Sequence, residues 1–75
     1  MTTKDKKIIE DSEKAGIPIF VLTAKDLCSV PALREYETFC RFAGCEKAHK
    51  DGVKERISEF KEWQTANPTL VKKPD

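Results

Sequence analysis

The sequence predicts an α+β domain: one apolar strand at about residues 17–23, then two amphipathic helices at about 30–43 and 51–66, with a short helix or flexible arm ahead of them. Three observations carry this expectation. Ile17-Pro18-Ile19-Phe20-Val21-Leu22-Thr23 concentrates β-branched and aromatic residues between Gly16 and the polar Lys25-Asp26 pair. Two later stretches space their apolar residues three and four apart. Gly44 and Asn67-Pro68 end those two stretches with helix-stop chemistry.

Residues 1–16 form the N-terminal arm. They are mostly charged, and Ile8 and Ile9 are the sizeable apolar groups between Thr3, a possible N-cap, and Gly16, a helix stop. The compact domain is expected to span 17–68. Pro18 suits the start of a strand or an edge, and the consecutive Phe20, Val21 and Leu22 call for cover on both faces. Ser29 is the expected N-cap of the next helix, with Pro31 in its first turn. Leu33, Tyr36, Phe39, Cys40 and Ala43 then share one side, Phe42 lies at its margin, and Arg34, Glu37, Thr38 and Arg41 lie opposite. The last helix begins between Glu46 and Asp51, with Gly52 favouring Asp51 as N-cap, and its stripe is Val53, Ile57, Phe60 and Trp63. Residues 69–75 form an extended tail.

A single strand leaves its backbone donors and acceptors unpaired when buried. Two copies related by a two-fold axis can pair theirs, so Ile19, Phe20, Val21 and Leu22 are expected at a seam of a homodimer or higher oligomer. A second strand around Leu70-Val71 is the alternative pairing partner within the chain.

Composition narrows the function classes. The chain has 75 residues, near the size where a lone core is marginal. It is 39% hydrophobic and 36% charged, too apolar for wholesale disorder. The 14 basic and 13 acidic residues nearly cancel, so no global field recruits nucleic acid or an anionic membrane. No membrane span or signal-peptide stretch is expected, and the cytoplasm is the expected compartment. Three cysteines, an odd number, fit reduced thiols better than a disulfide framework.

Few constellations could carry chemistry. Cys28, Cys40, Cys45 and His49 offer three thiols and an imidazole at spacings that could bind zinc. Cys40, however, falls on an apolar helix face, where a thiol is ordinarily a small core residue, and that reading outweighs zinc. The last two intervals resemble those of CCCH-type zinc fingers, whose first interval is shorter. Ser29 and Ser58 sit in no nucleophile-elbow pattern, and the glycines form no phosphate loop. No catalytic residues and no cofactor are therefore expected, and the protein is read as a non-enzyme. Arg34 and Arg41, one heptad apart, could contact phosphate with Arg56 and Lys25, although scattered surface cations are the commoner meaning of such a pattern.

The order of elements resembles the ribbon-helix-helix DNA-binding regulators, whose paired strands enter the major groove. The apolar Ile19-Phe20-Val21-Leu22 run leaves few groups to read bases, so nucleic acid is not an expected partner. Ile17 through Asp26, together with Glu59-Phe60-Lys61-Glu62-Trp63-Gln64, Asn67-Pro68 and Lys73-Pro74-Asp75, is similar in style to small proteins of bacterial phages and prophages. That resemblance implies a protein of the bacterial host cytosol that binds a host protein or a small nucleotide signal, with a role in phage-host conflict, such as counter-defence, or in phage regulation.

Overall fold

A computed structural model describes residues 3–74 and holds three α-helices: α1 (Thr3–Ala15), α2 (Ser29–Ala43) and α3 (Lys47–Ala66). The described residues contain no strand, so the fold is all-helical and the α+β expectation is overturned. Residues 17–23 have a strand's composition but no neighbour among the described residues to supply a ladder. They form an irregular connection in which none of residues 18–22 exchanges a backbone hydrogen bond with another described residue. Side-chain preference for a pleated surface makes no strand where no pleated surface exists.

The core is the hairpin of α2 and α3. Gly44 at φ +72° reverses the chain at the end of α2, and its N–H and that of Cys45 donate to the carbonyls of Arg41 and Cys40. This is a Schellman ending, and glycine adopts its left-handed backbone without the penalty of a Cβ. A connection this short makes the helices antiparallel neighbours. Val30, Val53 and Ile57 form the buried cluster, with Leu33 and Phe60 packed against it and Cys40 buried nearer the turn.

Along α3 and its cap the covered positions are Lys50, Val53, Ile57, Phe60, Trp63, Gln64 and Asn67, a spacing of three and four with Trp63 and Gln64 side by side. Residue 47 begins the helix, with Glu46 at the N-cap, earlier than Gly52 suggested. Asp51 sits inside the helix instead, paired with Lys47 at 2.7 Å. The buried face of α2 is also rotated from the expected one. Val30, Leu33, Glu37 and Cys40 turn toward α3, whereas Phe39 is exposed and Tyr36 half so. The reason is that a charged residue can occupy a buried stripe by laying its aliphatic stem along the partner and sending its head outward. Glu37 does this, its carboxylate pairing with Arg41 at 3.3 Å.

The start of α2 is fixed from outside the helix. Asp26 accepts the N–H of Cys28 on its carboxylate at 2.7 Å, and its carbonyl accepts the Ser29 hydroxyl at 2.7 Å. Ser29 is thus the first helical residue, and Cys28 is the N-cap. Gln64 of α3 reaches back to the same loop, donating to the carbonyl of Ala24 at 3.1 Å. The tail adds a third clamp: Lys72 donates to the Lys25 carbonyl and accepts from the Leu27 N–H, both at 2.9 Å. This is one isolated parallel bridge, Asp26 with Lys72, so the tail pairs with the loop after the expected strand.

Helix α1 stands apart from this arrangement. It starts at Thr3, which was expected to cap it, and none of its residues is buried. Ion pairing between Asp5 and Arg56 at 3.8 Å ties it to α3.

Candidate functional site

Two surfaces collect the residues with chemical or binding potential. The first is a groove between α1 and the hairpin. Ile8 and Ile9 border it from α1, Leu33 and Phe60 from the hairpin, and residues 19–24 from the connection. Phe20 is 83% exposed although it borders this groove, and Ile8, Ile17, Ile19 and Val21 are each about half exposed or more. Leaving a phenylalanine in water forgoes roughly 1.5–3 kcal/mol relative to burying it. The expected seam residues Ile19, Phe20, Val21 and Leu22 thus line one apolar groove, but as an irregular segment and not as a ladder-forming strand. The ribbon that a ribbon-helix-helix regulator inserts into DNA is accordingly not formed among the described residues.

The second surface lies at the turned end of the hairpin. Tyr36 and His49, from the facing helices, meet with the phenol oxygen 3.0 Å from Nε2 and the rings edge to face at 5.9 Å. Cys40, buried near the end of α2, is close enough to Tyr36 and Cys45 to shift both. Desolvation, then the contact with Cys40, raises the Tyr36 phenol above its ordinary range. The Cys40 contact, then desolvation, does the same to the Cys45 thiol. A thiol raised in this way holds its proton more firmly than a free cysteine, which slows its exchange with disulfides without preventing it.

The four residues of the alternative zinc set, Cys28, Cys40, Cys45 and His49, do not converge. Cys28 caps one end of α2 and Cys40 lies near the other, twelve residues or about 18 Å along the axis. No group of three histidine, cysteine or acidic side chains among the described residues is placed to hold a metal ion. The spacing in sequence suggested a set that a straight helix pulls apart.

The expected cation set is likewise divided. Arg41 is paired with Glu37, and Arg56 bonds Glu59 at 3.0 Å as well as meeting Asp5. Arg34 is exposed on α2, and Lys25 lies in the clamped loop. Arg34 and Arg41 share a flank of α2, two turns apart, while Arg56 belongs to the groove. These four residues form no common phosphate cradle.

Three features escaped sequence reasoning. The Tyr36–His49 pair could have been anticipated, since two residues bracketing a short reversal at comparable distances come face to face. Gln64 as a loop clamp carried no local signal. The outward Phe39 and Phe42, 68% and 85% exposed, carried a misleading one, because aromatic residues at helical spacing ordinarily mark a core face. Among the described residues no helix is long and apolar enough to cross a membrane. Compared with family models, curated proteins and solved structures, the chain gives no match in any of the three.

Proposed function

We propose that the protein is a non-enzymatic binding module that works as a homodimer, with the groove between α1 and the hairpin as the self-association surface. The observation that carries this reading is an excess of exposed surface. The chain presents 6236 Å² to solvent, whereas a compact monomer of its 8.5 kDa presents about 4,700 Å². Its radius of gyration of 13.7 Å exceeds the roughly 11 Å of a compact chain of this length. The surplus of about 1,500 Å² is larger than the roughly 800 Å² per partner buried in a standard interface.

A second copy is the favoured occupant because the surface is self-complementary in kind. Phe20 projects from a segment that itself borders an apolar groove, so a two-fold axis can place each Phe20 in the other copy's groove. A formal charge of +1 sets little repulsion against that approach. Such a contact buries side chains and needs no strand pairing. Phe39 and Phe42, on the outer face of α2, then remain on each copy as the apolar surface for a protein partner of another kind.

Light scattering of the purified chain tests the reading. A mass of twice 8.5 kDa is expected, falling to 8.5 kDa on Phe20→Asp with helix content retained. A monomeric wild type at about 100 μM, well above the micromolar dissociation constants common for standard interfaces, would overturn it.

A further inference from the structure

Cys40 and Cys45 occupy the two positions that a Schellman ending brings together. Gly44 reverses the chain between them, and the Cys45 N–H donates to the Cys40 carbonyl at 3.0 Å. In this motif the side chains of those two positions meet across the turn. Here both positions carry thiols. Cys40 is 3% exposed and Cys45 is half-buried, so one thiol of the pair is open to a reagent and the other is held behind it. Cys28, at the far end of α2, cannot reach either within one chain. The same motif ends α1, where Gly16 at φ +69° lets the Ile17 N–H donate to Ser12 at 2.9 Å, and there it joins a serine to an isoleucine.

We propose that Cys40 and Cys45 are a dithiol modification site that closes to an intrachain disulfide by exchange with a small disulfide of the glutathione class. Cys45 attacks one sulfur of the small disulfide, forming a mixed disulfide and releasing one small thiol. Cys40 then attacks the Cys45 sulfur, forming the Cys40–Cys45 bond and expelling the second small thiol. Two electrons pass from the protein dithiol to the small disulfide, and the two thiol protons end on the released thiols. Closure staples the turn joining the two helices that make the core. The pair is a labile addition to a chain otherwise built without disulfides.

The test is an equilibrium one. The full chain is held in glutathione redox buffers, quenched with an alkylating agent and read by mass spectrometry after proteolysis. The 40–45 cross-link is expected in the wild type and in Cys28→Ser, and is expected to be absent in Cys40→Ser and Cys45→Ser. Its equilibrium constant is expected to be at least about tenfold larger in the folded chain than in guanidinium, a shift of about 30 mV. The unfolded measurement separates a positioned pair from two cysteines merely close in sequence, and does not depend on whether Cys40→Ser folds. An equal or smaller constant in the folded chain, or Cys45 trapped as an unresolved mixed disulfide with glutathione, would overturn the proposal.

Discussion

The two halves of this molecule bury their apolar residues to very different degrees. In the hairpin, Val30, Cys40, Val53 and Ile57 are each less than a tenth exposed, although α2 and α3 are rich in charge. In the N-terminal half, residues 17–22 form the most apolar run of the chain, and there Ile17, Ile19, Phe20 and Val21, like Ile8 of α1, are about half exposed or more. The difference teaches that hydrophobicity by itself does not assign a residue to the core. Burial needs a facing surface of matching periodicity, and α3 offers one to α2. Among the described residues, 17–23 meet the hairpin only at the groove edge by Leu33 and Phe60 and have no segment of matching periodicity. One half is therefore a folded unit held by few contacts, and the other is an exposed apolar surface, the one that the proposed homodimer would cover.

The largest test of that contrast is Ile57→Ala. Removing a methylene-rich side chain from the centre of a small core should cost about 2–5 kcal/mol, a substantial share of the stability of a chain this size, read from urea unfolding. Gln64→Ala comes next, at about 1–3 kcal/mol, because it strips the half-buried Ala24 carbonyl of its donor and loosens the loop on α3. Gly44→Ala should cost roughly 1 kcal/mol, since its φ of +72° is strained for any residue with a Cβ even though open space surrounds it.

Phe20→Ala is the substitution that would break the comparison. Unfolding of the isolated monomer should move by less than about 0.5 kcal/mol, while the dimer mass is lost at micromolar concentration. A monomer destabilised as much as by Ile57→Ala would place Phe20 in the core after all.

The smallest effect belongs to the exposed Lys47–Asp51 pair. The lysine ammonium lowers the Asp51 carboxyl, so that group's contribution is present above the ordinary carboxylate pKa and fades as pH falls through the lowered value. Lys47 is raised by the same contact, so its contribution is present below the ordinary lysine pKa and fades as pH rises through the raised value. Asp51→Asn should shift the melting temperature less than any substitution above, and the shift should vanish in high salt.

Much of the hairpin was legible in the sequence. Gly44 and Asn67-Pro68 set the ends of α2 and α3, and the spacing of Val53, Ile57 and Phe60 set the buried face of α3. The candidate site was far less so. Cys28, Cys40, Cys45 and His49 looked like a ligand set because sequence spacing does not reveal the 18 Å that a straight helix inserts between its ends. Of the cations read as a possible patch, Arg41 pairs with Glu37 and Arg56 with Glu59 and Asp5, and the Asp5 pairing is recognisable only once α1 and α3 face one another.

By itself the sequence determined where helices stop and which residues are apolar, because these follow from backbone freedom and side-chain chemistry local to each position. Only the tertiary structure decided which apolar residues find a partner. It put Glu37 and not Tyr36 on the covered side of α2, set Cys40 against Cys45 across Gly44, and left Phe20, Phe39 and Phe42 in solvent. A strand is a relation between two segments, and residues 17–23 had the composition for one without the second segment. That relation is non-local, which is why composition anticipated a strand and the fold did not form one.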